Sequence, residues 1–456
     1  MTKIFKKHEN WSSRVTFLLA AIGAAVGLGN IWKFPYITGQ NGGGAFVLVY
    51  LLAVFLVALP ILIAEIAIGR WGKQSPPNAM ANVAAEQGLS RGWPVVGWFG
   101  MLAAYLIATY YAVIAGWTVA YIFKNAGGDF AGLDAEAVSG QFRDFMANPV
   151  QMILWHGIFM AMATLILVRG LQKGIEATVK VLMPALFALL LAMVAYGLLE
   201  GDMTQTLRFM FHFDFSAITG RVVLVAVGQA FFSIGVAMGL MMGFGAYLPR
   251  NISIARSALI IASADTLVAI IAGLAIFPIV FANGLDPAEG PGLVFVSLPI
   301  AFGSMTGGLV VGTLFFILLF FAAITSVIAV VEPMIAWWEE RFTMRRPLAA
   351  FLVCLSIFFL GFGTIFSFNL WSEWRPLAFF GRFADFGYFE ILEYVTANLM
   401  MPISGLLLAV FVGWRIRPEA IAGELQIRHR WAFRLWHWLL RWVAPVSIAL
   451  IIYSVI

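Results

Sequence analysis

Charge is scarce in this sequence. Lys, Arg, Asp and Glu together make up 11% of its 456 residues, against about 25% in an average soluble domain. Histidine occurs five times and cysteine once. The single Cys354 excludes an internal disulfide and a cysteine-rich metal centre. Set in an apolar run, it reads as a small inert residue. There is no Gly-Lys-Ser/Thr phosphate loop, no zinc-ligand spacing and no recognisable nucleophile–base pattern. Nucleotide-driven and enzymatic readings therefore have no footing. The formal charge of +5 is no nucleic-acid signal. What matters is where the basic residues fall.

What the chain has is apolar surface, 62% of all residues. A helix needs about 20 apolar residues to cross a bilayer. Eleven such segments are expected near 13–37, 44–70, 95–124, 150–168, 177–200, 221–247, 257–283, 309–338, 348–369, 391–414 and 433–455. The stretch 125–149 is too polar to span, and 284–305 reads as an external loop with a short apolar helix. The basic N-terminus precedes an apolar segment too long for a signal-peptide core, so that segment is expected to stay as a membrane helix. Placing the N-terminus in the cytoplasm puts most of the 28 basic residues inside, including Lys3, Arg70, Arg169, Arg250, Arg346, Arg415 and Arg441. The C-terminus then lies outside. The pattern predicts an all-α polytopic membrane protein with one transmembrane domain.

Two of the segments are poorly built as helices. Gly23-Ala-Ala-Val-Gly-Leu-Gly-Asn30 has three glycines in seven residues, and Ser233-Ile-Gly-Val-Ala-Met-Gly239 is its counterpart near the middle. Backbone that leaves the helix in lipid must find internal partners or line a wet cavity. Paired breaks in two halves point to a secondary transporter's binding site. Freed carbonyls, with the Asn30 oxygen, suit a hard cation such as Na⁺. Freed amides suit a carboxylate.

Gly23 to Tyr36, followed by Asn41-Gly-Gly-Gly-Ala-Phe46, resembles the first-helix signature of the neurotransmitter:sodium symporter family. Gln229-Ala-Phe-Phe-Ser233, Ala322-Ala-Ile-Thr-Ser326 and Glu332-Pro-Met-Ile-Ala336 extend the resemblance over nearly the whole chain, in order. It implies a leucine-transporter fold: ten core helices in two inverted repeats, about 13–200 and 221–414, with helices 1 and 6 unwound and an extra helix at 433–455. It also implies sodium-coupled uptake of amino acids or their relatives.

The family pattern assigns one sodium ion to the Ala25 carbonyl, Asn30, Ser233, Asp265 and the substrate carboxylate. It assigns a second to the carbonyls of Gly23, Val26 and Ala322 and the hydroxyls of Thr325 and Ser326. The substrate carboxylate would meet the amides of Leu28 and Gly29 and the hydroxyl of Tyr111. Ala25, Phe231 and Ser233 border that pocket, and Ile107, Phe232, Gly235, Met238, Ser326, Ala329 and Val330 would line its side-chain end. Lys33 and Glu393 match an outer gate, and His8, Trp11, Tyr247 and Glu340 an inner latch.

Departures at five positions shape the expectation. Position 27 is glycine where monoamine carriers of the family have aspartate, which favours a substrate that brings its own carboxylate. Position 265 is aspartate where asparagine is usual, and Ala269 replaces the serine of chloride-dependent members. A fixed Asp265 charge can then supply what chloride supplies elsewhere. Lys33 and His8 stand where the family's gate arginines are usual. The resulting expectation is a plasma-membrane symporter of a neutral, hydrophobic amino acid, using two Na⁺ and no chloride. A γ- or β-amino acid or taurine is the alternative cargo, and a transporter-like sensor or channel the alternative class. Homodimerisation stays open. Gly174 and Pro184 open the fifth segment with a spacing that lets this helix unwind inward in relatives.

Overall fold

The computed structural model describes residues 10–289, 292–427 and 429–455. Among these the secondary structure is helical throughout. The first apolar segment is split into α1 (Arg14–Ala25) and α2 (Gly29–Gln40), bent by 49°. The chain continues through α3 (Gly44–Gly72), the short α4 (Pro76–Glu86), α5 (Pro94–Gly127), the short α6 (Ala135–Ala147), α7 (Pro149–Leu167) and α8 (Leu171–Glu200). After α9 (Met203–Phe211) comes the second split, α10 (Gly220–Ile234) and α11 (Leu240–Ala246). Then follow α12 (Ile254–Ala282), α13 (Leu293–Ser304), α14 (Gly308–Phe342), α15 (Arg346–Ser367), α16 (Tyr388–Arg415), α17 (Pro418–Leu425) and α18 (Arg430–Ser454).

Among the described residues, nine helices are long and apolar enough to span, ten with α1 and α2 as one bent span. The expected segment 221–247 is filled by α10 and α11, each too short alone, so length and apolarity stop at ten of the eleven expected spans. The region 284–305 does hold a short apolar helix, α13, and α8 starts six residues before the expected 177 through a π turn, Leu171–Glu176.

Local chemistry sets the helix ends. Ser13 caps α1 in a reciprocal box with Thr16. Proline opens α4, α5, α7 and α17, where its missing N–H costs nothing. In the core, α5 packs along α14, α11 against α3, and α1 against α14 and α12. These contacts hold both breaks in the middle of the bundle.

The second break is a run of left-handed backbone. Gly235, Ala237 and Gly239 have φ of +68°, +67° and +72°. Glycine adopts this region freely, but alanine there is strained. Glu65 of α3 supplies the compensation. Its carboxylate accepts Ala237 N–H at 3.1 Å and Gly239 N–H at 2.8 Å. Gly235 and Val236 donate to Phe231 O. Glu65→Leu leaves two buried amides without acceptors, at roughly 1–3 kcal/mol each. The variant is expected to melt well below wild type in detergent, with Glu65→Gln intermediate. Equal melting temperatures for all three proteins would remove Glu65 from this role.

Candidate functional site

The first break frees backbone groups that a continuous helix would pair. Gly27 N–H turns to Asn30 Oδ1 at 3.1 Å instead of back to Gly23 O. Leu28 N–H turns to Tyr111 Oη at 2.9 Å. The Ala24 carbonyl, four residues before Leu28, accepts from Ser326 Oγ at 3.2 Å instead. Gly29 N–H finds no acceptor among the described residues. A free amide beside a tyrosine hydroxyl is a seat for an anion. The Gly23 and Ala25 carbonyls, relieved of helical donors, are available to a cation.

Asp265 of α12 is fully buried beside this break. Asn30 Nδ2 donates to its Oδ1 at 2.8 Å, and Ser233 Oγ to its Oδ2 at 2.7 Å. Tyr50 Oη lies 3.0 Å from Ser233 Oγ and 3.5 Å from Asp265 Oδ2. Gln229 Nε2 donates to Gly29 O at 3.0 Å, while its Oε1 is buried and unpartnered. The fold thus brings Asn30, Ser233 and Asp265 together as the sequence expectation requires. One detail differs: Asn30 presents its amide nitrogen to Asp265 and spends its oxygen on Gly27. Ala269, one turn after Asp265, is also buried.

On the other side of α1, a methyl group at Gly23 would lie 3.2 Å from Thr325 Cβ and 2.8 Å from Met183 Sδ. Gly23 and Thr325 are therefore close neighbours. The Thr325 hydroxyl donates within its own helix, to Phe321 O at 2.9 Å and Ala322 O at 3.2 Å. Such donation leaves its oxygen lone pairs free for a cation.

The apolar side of the break is small and tight. A Cβ on Gly27 would stand 2.7 Å from Tyr111 Oη and 3.1 Å from Ser326 Oγ. A Cβ on Gly29 would meet the Phe232 ring at 3.2 Å. Ile107, Met238, Ser326, Ala329 and Val330 are buried. Gly235 sits beside Met238 Cε. Phe231 reaches away, its ring edge against Gly405 of α16.

Lys33 Nζ sits 3.2 Å from Glu393 Oε1 and 4.3 Å from the centroid of the Phe232 ring. This cation lies over the ring that borders the first break. At the opposite end, Trp11 Nε1 donates to Phe244 O at 3.0 Å, and Trp11 N–H to Tyr247 O at 3.3 Å. Tyr247 Oη donates to Glu332 at 3.1 Å. Glu340 is engaged elsewhere: it accepts from Ser75 N–H at 2.8 Å, from the Ser75 hydroxyl, and from Asn78 Nδ2 at 2.7 Å. His8 lies outside the described residues.

Sequence reasoning missed the contacts of four carboxylates at this end. Arg346 pairs with Glu332, and with Glu339 at 3.2 Å. Arg70 pairs with Glu424. Glu176, at the start of α8, accepts from the Ser12 amide at 2.8 Å and hydroxyl at 2.6 Å. An acid inside an apolar run, such as Glu332, is the only signal that could have flagged them.

The description "Sodium:neurotransmitter symporter family" matches residues 8–131 and 146–455. The chain is 34% identical over 454 residues to an uncharacterized sodium-dependent transporter, YhdH, of Bacillus subtilis, covering 99% of this chain and 98% of that one. It is 32% identical over 461 residues to an uncharacterized sodium-dependent transporter of Haemophilus influenzae, covering 100% and 99%. Its structure matches the crystal structure of MhsT in complex with L-phenylalanine. The TM-score is 0.90 and the identity 37%, over 98% of this chain and all of that one.

The crowding at Gly27 generates a direct test. Gly27→Asp forces a side chain into contact with Tyr111 and Ser326, an overpacking of about 1–3 kcal/mol. It also sets a negative charge beside the free Gly29 amide. The variant is expected to melt lower than wild type and to lose carboxylate-ligand binding by about tenfold or more, about 1.4 kcal/mol per tenfold. Wild-type melting and binding together would show that the break is not packed as described.

Proposed function

The chain belongs to the sodium:neurotransmitter symporter family and is a sodium-dependent transporter with that family's fold, and from this premise we propose that it imports a neutral, hydrophobic amino acid together with sodium, by alternating access. The observation that carries this reading is the first break. It offers an unpaired Gly29 amide and a Tyr111 hydroxyl for a carboxylate, beside carbonyls stripped of their helical donors. A zwitterion's carboxylate and a sodium ion complete each other there. The glycine at 27 brings no acidic side chain that would compete with it, and a side chain there would press on the Tyr111 hydroxyl. The tight lining of Ile107, Phe232, Met238, Ala329 and Val330 suits an apolar side chain, and the structural relative holds L-phenylalanine.

Two sodium ions fit the two oxygen clusters. One would sit among Ala25, Asn30, Ser233 and Asp265, and the other among Gly23, Val26, Ala322, Thr325 and Ser326. Two nearby cations need compensating charge. Asp265 is the buried carboxylate within reach, so transport is expected to run without chloride. Lys33 and Glu393 form the outer gate, with Trp11 and Tyr247 on the cytoplasmic side. The N-terminus is cytoplasmic and the C-terminus external, as the basic residues require. The repeats run over about 13–200 and 221–414. In this reading no covalent intermediate forms, and the sodium gradient alone supplies the work.

The deciding measurement is uptake into proteoliposomes. A panel of labelled amino acids, including γ-aminobutyrate and taurine, is offered under an imposed sodium gradient. Uptake of apolar α-amino acids is expected to dominate, and preference for taurine or γ-aminobutyrate would replace the substrate assignment. In the same assay Thr325→Val with Ser326→Ala is expected to abolish sodium-dependent binding. Thr325→Val alone, which keeps the Ser326 contact to Ala24, is expected to weaken it. Unchanged sodium affinity in a folded double variant would remove the second ion site.

Chloride is tested by replacing it with gluconate. Wild-type uptake is expected to be unaffected. Asp265→Asn with Ala269→Ser is expected to become chloride-dependent, because neutral side chains then surround the cations next to Tyr50, Gln229 and Ser233. A wild type that needs chloride refutes the idea. An active, chloride-indifferent double variant shows that another charge does this work.

A further inference from the structure

Two arginines of the bundle are matched to carboxylates, and three of α18 are not. Arg70 is spent on Glu424, and Arg346 on Glu332 and Glu339. Arg430, Arg434 and Arg441 have no carboxylate partner among the described residues. Arg441 is the unusual one. Its guanidinium carbon lies 4.6 Å from the centroid of the Trp414 ring and 5.8 Å from that of Trp442. The two rings are 4.7 Å apart. Trp414 Nε1 donates to Arg441 O at 3.1 Å, which fixes α16 against α18 at this point. Arg441 Nε is shielded from water and has no hydrogen-bond partner.

The orientation of α18 is settled by Trp436. That ring is buried, and its Nε1 donates to Pro60 O at 3.1 Å. The remaining tryptophans of the helix, Trp431, Trp438 and Trp442, face outward with 67%, 54% and 47% of their surface exposed. Arg430 and Arg434 are exposed beside them, one turn apart, and Arg441 follows two turns on. Exposed indoles next to unpaired guanidinium groups, at the arginine-rich end of a membrane span, match the chemistry of a phospholipid head: a phosphate to pair, and glycerol and upper acyl chain to cover.

We propose that the outward face of the first half of α18, with Trp414 of α16, binds the phosphate of an anionic phospholipid, held by Arg434 and Arg441 and flanked by Trp414, Trp438 and Trp442. Arginine suits this task because its planar donors pair with phosphate oxygens while its face stays on the indole. The lipid supplies the counter-charge that the protein omits. The surface is continuous with the lipid-facing side of α18, where Val446 and Leu450 are exposed.

The test uses the full-length protein, delipidated in a neutral detergent. Phosphatidylglycerol, phosphatidylcholine and inorganic phosphate are added separately, and bound lipid is counted by native mass spectrometry alongside thermal melting. Wild type is expected to retain phosphatidylglycerol over phosphatidylcholine and to melt higher with it. Arg434→Gln with Arg441→Gln is expected to lose lipid affinity by about fivefold per arginine, the usual effect of one charge at an anionic lipid surface. If that variant does not give a monodisperse protein, Arg430→Gln with Arg434→Gln decides, since both side chains are exposed and unpaired. Equal retention of the two lipids overturns the proposal, as does undiminished phosphatidylglycerol binding in the folded variant. Stabilisation by inorganic phosphate equal to that by phosphatidylglycerol also overturns it, because the site would then be one for a soluble anion.

Discussion

Backbone that leaves the helix inside an apolar bundle must be given partners, and this need organises the centre of the molecule. An unpaired buried amide costs on the order of 1–3 kcal/mol. The two breaks meet the need differently. The second break is held by a single side chain, the Glu65 carboxyl group, which takes two amides. The first is held by neutral groups, the Asn30 oxygen and the Tyr111 hydroxyl, one amide each. The second break is therefore the fixed part of the scaffold. The first keeps an open amide and exchangeable partners, which is what a site must have if its ligand is to come and go.

The same contrast runs along the axis of the bundle. At the arginine-rich end, carboxylates tie helices together, Glu332 and Glu176 among them fully buried: Glu332 and Glu339 to Arg346, Glu424 to Arg70, Glu340 to the start of α4, and Glu176 to Ser12. Breaking such a buried pair is costly, because it strands a charge in an apolar setting. At the other end, among the described residues, Lys33 pairs with Glu393, and their side chains are 22% and 39% exposed. Partly hydrated pairs of this kind are worth little on their own. Lys33 gains instead from lying over Phe232, the ring that also covers Gly29. The position of the Lys33 cation is thus linked to one aromatic ring at the site.

What the sequence made legible follows from how local the signal is. Clustered glycines mark both breaks, because the permissiveness of glycine is a property of single residues. Apolar runs mark most of the spans, because crossing a bilayer is a matter of length. The resemblance of Asn30, Ser233 and Asp265 to a known pattern anticipated a cluster that the fold does assemble. The misses are all tertiary. Nothing near Glu340 in the chain announces Ser75, 265 positions earlier. Nothing near Arg70 announces Glu424, which is 354 positions away. The sixth segment also escapes a length rule, because the break that gives it a role also shortens both of its arms.

Asp265 shows why a departure from a pattern says more than a match. A buried carboxylate in an apolar bundle persists only where donors surround it. Here the donors are Asn30, Ser233 and Tyr50, and each comes from a different helix, α2, α10 and α3. The residue thereby pins both broken helices and α3 to α12. It lies beside the carbonyls that the first break releases. A cation drawn to those carbonyls would lie next to a carboxyl group whose burial is offset by the hydrogen bonds of the fold. One position thus ties four helices together and places a carboxyl group beside the first break, and the two tasks cannot be altered separately.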